Sequence, residues 1–206
     1  MADLDSLGQF PTNPGMEAVN FKTVTPTQIT EANSGKVRRY GYGHQYYEWV
    51  CRFGRQTQED MGPIIGYINA AYGPQLSFEI ILPKVSYSKS TNPPSTTPQT
   101  NAEFARGVNT VTLDNCGANK QVLRGGDFFK FNNHTKVYMC SATSTSDGSG
   151  VATLYFTGNL LTTVPDNTPL TITAVPFTAI FDGEEQSFDV GYGGLTTLDV
   201  GMREVL

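Results

Sequence analysis

Apolar positions with a period of two dominate the chain and set its predicted class. In "YYEWVCRF", Tyr47, Trp49, Cys51 and Phe53 alternate with Tyr46, Glu48, Val50 and Arg52, the pattern of a strand with an aromatic core face. The longer run "KVRRYGYGHQYYEWVCRF" reads as two strands around Gly41 and Gly43. The period changes once, in "TQEDMGPIIGYINAAYGP", where Met61, Ile64, Ile65, Ile68, Ala71 and Tyr72 recur at helical spacing. Thr57 can cap that helix, Asp60 suits its first turn, Pro63 belongs near its beginning, and Gly73-Pro74 stops it. "LSFEIIL" restores period two, with Leu76, Phe78, Ile80 and Leu82 on one face.

Residues 86–104 are interrupted by Pro93, Pro94 and Pro98 among Ser, Thr and Asn. Their small apolar surface does not offset the entropy of ordering them, which predicts a loop or linker. Short strands follow in "NTVTL", "KQVLR", "DFFKF", "KVYMC", "VATLYF" and "LTITAV", separated by Gly, Asn, Asp and Pro. The closing stretch has a hairpin signal at Asp182-Gly183, a second break at residues 191–194 and a last alternating strand. The first twenty residues, rich in Pro, Gly and Asn, read as an extended arm ordered near residues 19–24, of the kind that docks on neighbouring subunits.

Neither end holds enough apolar residues for a core alone, which predicts a mainly β protein: a β-sandwich-like domain with one helix, carrying an inserted small antiparallel β-barrel or β-sandwich module. Residues 1–86 and 177–206 form the first domain, 87–103 the linker and 104–176 the insert. Phe129, Phe131, Val137, Met139, Leu154 and Phe156 are the expected core of the insert, with Lys130 and Lys136 outward or at an edge. Trp49, the helix, Phe78, Ile80 and Phe188 belong to the other core.

"LRGGDFFKFNNHTKVYMC" admits three readings. A phosphate cradle needs a helix after its glycines, but "GGD" runs into "FFKF". A metal site would draw on His134, Cys140, Cys116 and Asp127, without the close ligand pairs that fix a tetrahedron. The hairpin reading uses every residue: Gly125 and Gly126 permit positive φ, Asp127 bonds turn amides, and Asn132 and Asn133 tolerate the next reversal.

Composition narrows function by exclusion. Charged residues are 16% of the 206, against about 25% in an ordinary soluble domain, so polar surface comes mainly from hydroxyl and amide side chains. A net charge of −5 without a basic run argues against nucleic acid. No run of about 18 apolar residues and no signal-peptide pattern occur, so a soluble chain without membrane insertion is expected. Cys51, Cys116 and Cys140 are widely spaced, which predicts free thiols. "SDGSG" is read as a turn rather than part of a calcium loop, and the sequon at Asn133 as silent. The acids at Asp182, Glu184 and Glu185 suit a solvated turn, and Glu59-Asp60 the helix start. No catalytic, cofactor-binding or metal residues are therefore assigned.

The order of motifs carries a resemblance. "EWVCRFGRQTQEDMGPIIGYINAAYGPQLSFEIILP", a Pro/Ser/Thr-rich connection, "VLRGGDFFKFNNHTKVYMCSATSTSDGSGVATLYFTGNLL" and "PFTAIFDGEEQSFDV" together resemble distal-tail-type structural proteins of tailed-bacteriophage tail tips and baseplates. The resemblance runs from about Tyr46 onward. It implies a non-enzymatic virion component, assembled in the host cytoplasm, that forms a ring-like homo-oligomer joining tail-tube and baseplate or hub proteins. A head-tail connector or tail-terminator would suit the composition as well. From other classes come a receptor- or glycan-binding β module using Tyr46, Tyr47 and Trp49 on an exposed face, and a small hydrolase.

Overall fold

The computed structural model describes residues 6–41, 44–191 and 193–206; Gly43, one of the two expected strand breaks, lies outside them. The protein is mainly β, with one helix among the described residues. Contacts divide it into two compact units, Met1–Lys22, Tyr47–Lys84 and Pro176–Leu206 in the first, Thr23–Tyr46 and Val85–Val175 in the second. Residues 23–46 thus group with the later module, and so does the segment expected as a linker.

In the first unit, strands from the start, middle and end of the chain interleave. Their order is Ser6–Gln9, Ser77–Ile80, Phe177–Phe181, Leu195–Glu204, Tyr46–Thr57 and Ala18–Val24, and Phe188–Val190 also pairs with Leu195–Glu204. Alternation holds along the long strand: Tyr47, Trp49, Cys51 and Phe53 are buried. The helix spans Gln58–Ala70; Thr57 caps it by accepting from the Asp60 amide at 3.2 Å, and Met61, Ile64 and Ile68 face the core.

Three expectations change here. The N-terminal arm is anchored within its own unit at Phe10, which is buried against Phe53, Tyr67 and Phe78 and whose amide donates to the Glu79 carbonyl at 2.7 Å. Tyr72, placed by periodicity on the helix's buried face, lies beyond the helix with φ 52° and is 73% exposed. Phe188 is 46% exposed rather than core, because Asp182-Gly183 does not close a two-residue hairpin. Residues 182–187 bulge out, and Phe188–Val190 and Phe177–Phe181 pair with separate lengths of Leu195–Glu204.

The second unit is built around a six-stranded sheet ordered Leu170–Thr171, Phe128–Phe131, Val137–Cys140, Ala152–Thr157, Thr110–Asp114 and Gln99–Thr100. A bridge from Gln99 to Pro169, with the Leu170 amide donating to the Pro98 carbonyl at 2.9 Å, links the last strand back to the first and nearly closes a barrel. Phe129, Phe131, Val137, Leu154 and Phe156 are buried as expected, whereas Met139 is half-buried and its neighbour Tyr138 is wholly buried. Lys136, expected outward, is only 3% exposed; its ammonium lies 5.8 Å from the centre of the Tyr138 ring, where stem burial and cation–π attraction hold it.

Residues 86–98 are ordered in spite of their composition, because their polar groups bond to the barrel. Ser90 Oγ donates to the Gln121 carbonyl, the Thr91 amide to Gln121 Oε1, and Asn92 Nδ2 to the Asn119 carbonyl. Asn115 reaches back to the Thr97 carbonyl at 2.9 Å. Prolines lower the entropy lost on ordering, and these bonds supply what apolar burial does not. The module's ends meet, since the Val175 amide donates to the Ser86 carbonyl at 2.9 Å.

Candidate functional site

The "GGD" turn has spent its donors. The Gly126 amide, at φ 90°, donates to the Cys140 carbonyl at 2.7 Å, and the Asp127 amide to the Arg124 carbonyl at 2.9 Å. Asn132 and Asn133 make the next reversal without entering the left-handed region. Asp127 is fully buried, and its carboxylate accepts from the Arg124 amide, the Lys89 amide and Ser88 Oγ at 2.9 to 3.2 Å, with Lys89 Nζ at 3.4 Å. It fastens the 86–98 segment to the barrel.

The candidate metal ligands are likewise engaged in local bonds. His134 stacks on Phe131; its Nδ1 donates to Asn133 Oδ1 at 2.8 Å, and its Nε2 accepts from the Tyr138 hydroxyl at 3.1 Å. That hydroxyl accepts the Leu161 amide at 3.2 Å. Cys140 donates to the Ala142 carbonyl and Cys116 to the Asp114 carbonyl. Among the described residues no group of three His, Cys, Asp or Glu side chains is arranged to hold a metal ion. The three cysteines are buried and unlinked. Burial pushes the Cys51 thiol up to about 12 and those of Cys116 and Cys140 to about 11, so none is a thiolate at neutral pH.

His134 makes a pH prediction. Burial first, then the charges of Lys130 and Lys136, push its pKa down to about 4 from 6.5. Between those values the folded chain binds fewer protons than the unfolded chain, so stability is full above about pH 6.5 and falls as pH drops through the window. Discounted for partial exposure, the loss at pH 4.5 relative to pH 7 should be about 1–2 kcal/mol. Urea titration at both pH values reads it, and His134→Gln should remove that share. An equal fall in the variant would assign the effect to other groups.

Tyr47 and Trp49 are fully buried and Tyr46 half-buried, which removes them as an exposed sugar-stacking face. Asp60 serves the helix start, where its Oδ2 accepts from Thr57 Oγ1 at 2.7 Å. "SDGSG" is a turn in which Asp147 Oδ1 accepts from the Ser149 and Val151 amides.

Two surfaces not singled out by sequence remain. The first is the ribbon formed by Thr27–Glu31 and Val37–Gly41, a two-stranded sheet in which every residue is exposed, with Ile29 67% and Tyr40 66% accessible. Gly35, at φ 74°, closes it, its amide donating to the Ala32 carbonyl at 2.8 Å. The turn signal Asn33-Ser34-Gly35 between short polar strands was the available clue. The second is a groove of about 550 Å³ in the second unit, lined by Ser90, Pro94, Thr97, Asn132, Thr171 and Ile172 among others, with no charged side chain.

No helix among the described residues is long and apolar enough to cross a membrane. Compared with protein-family models and with curated proteins, the chain matches none.

Proposed function

We propose that the chain is a non-enzymatic structural protein of a phage tail tip or baseplate, forming a symmetric ring that joins the tail tube to distal tail components. The observation carrying this reading is the ribbon 27–41. A two-stranded hairpin is marginal in water without a further surface to pack on, and this one exposes Ile29, Val37 and Tyr40 along its length. Such an element gains stability when a neighbouring subunit covers it, and repetition around a closed ring multiplies modest contacts. Engagement of the thiols, His134 and Asp127 in local bonds fits a protein whose work is geometric. Quantitative mass spectrometry of purified phage particles should find the chain in a copy number that is a multiple of three; a single copy, or none, would contradict the ring.

A second reading, binding of a neutral glycan, is favoured by the uncharged, hydroxyl-rich groove in the second unit. Titration of the chain with a panel of neutral oligosaccharides tests it. Saturable binding lost on Asn132→Leu would support it, and no binding at millimolar sugar would discard it.

A further inference from the structure

The chain as a whole is acidic, and two of its hairpins carry net charge of opposite sign. Ribbon 27–41 carries Lys36, Arg38 and Arg39 against Glu31 alone. Cross-strand register sets Ile29 opposite Arg39 and Tyr40 beside Arg38, so each face presents an apolar side chain next to a guanidinium. The other hairpin is Phe188–Val190 with the start of Leu195–Glu204, together with the bulge leading into it. Between 182 and 190 lie four carboxylates, Asp182, Glu184, Glu185 and Asp189, all exposed and with no cation among them.

That acidic bulge borders a recess of mixed apolar and amide lining, in which Asn69 and Gln186 join the apolar side chains. A groove of about 170 Å³ runs between the helix end and the hairpin, lined by Ile65, Ile68, Tyr72, Phe188 and Leu198 among others. Gly73, at φ 66°, lies beside the backbone of Glu184: an added Cβ would stand in ordinary contact, 3.5 Å from Glu184 Cα. Tyr72 and Phe188, the two aromatics expected in the core and found exposed, are its walls.

We infer that ribbon 27–41 of one copy docks in this acid-rimmed groove of a second copy. Aromatic and arginine side chains meet a recess whose hairpin edge carries the exposed carboxylates of 182–190, and the two surfaces differ, so the contact is head-to-tail, the kind that closes into rings. This rests on the self-assembling ring reading and names the interface within it.

Charge reversal tests the pairing. At about 0.1 M salt the unaltered chain should assemble, as read by sedimentation velocity. R38E/R39E and E184K/E185K should each lose at least about tenfold in association constant, since each sets like charges against each other. Both variants should stay folded, with the parent's circular dichroism spectrum and cooperative melting, these side chains being exposed. Mixed in equal amounts, the two variants should assemble again, because each supplies the surface that the other needs. Unimpaired assembly of either variant overturns the inference, and so does failure of the mixture to recover. A chain monomeric at all concentrations overturns the ring reading itself, which separates the two failures.

Discussion

Asp127→Ala should destabilise the second unit by about 2–3 kcal/mol, the range for depriving buried donors of a charged acceptor; the Lys89 ammonium, 55% exposed, is left to water. The carboxylate is fully buried and accepts from two backbone amides, a hydroxyl and an ammonium. Alanine leaves the Arg124 and Lys89 amides without this acceptor and releases the 86–98 segment from the barrel. Calorimetry should show the loss, and proteolysis should cut near Ser88 sooner. Asp127→Asn, which keeps one carbonyl oxygen but turns the other position into a donor facing donors, should fall between the two. A loss under about 1 kcal/mol, the worth of one ordinary hydrogen bond, would mean that water replaces the carboxylate and that the segment is held by other bonds.

Phe10→Ala should lower the stability of the first unit by about 3–5 kcal/mol, as for other buried phenylalanines. The ring is 2% exposed, 5.3 Å from Tyr67 and 5.7 Å from Phe78 between ring centres. It anchors the arm whose Ser6–Gln9 strand runs parallel to Ser77–Ile80. The chain's single tryptophan, Trp49, lies in this unit's core and reports its unfolding by fluorescence. The midpoint in urea should drop, and residues before Phe10 should become sensitive to protease. A variant with an unchanged midpoint would return the arm to the role expected from sequence, an extension waiting for a neighbour.

Local pattern made much of this fold legible. Period two along Tyr46–Thr57, the Thr57 cap and the Gly73 stop are short-range signals, and the structure follows each. Burial of long-range partners was not legible. Phe10 stands in a Pro- and Gly-rich stretch without periodicity, and only its neighbours across the first unit make it core. Residue type sets Lys136 outward or at an edge, whereas its stem is buried and its ammonium lies over the Tyr138 ring. The 86–98 segment was judged by its poverty in apolar surface, but its order comes from bonds to Gln121, Asn119 and Asp127, which composition does not reveal. Helical spacing points Tyr72 inward and hydrophobicity Phe188; a left-handed residue after the helix and the 182–187 bulge turn them out to face the groove. The groove walled by Tyr72 and Phe188 thus arises where local pattern and tertiary structure part.

Self-association through the ribbon is the central claim, and light-scattering mass on two proteins tests it most directly. One is the full chain; in the other a short Gly-Ser turn replaces residues 27–41. The account predicts a mass several times 22.4 kDa for the full chain and the mass of a single subunit for the shortened one, with both chains melting cooperatively. Equal masses for both would contradict it.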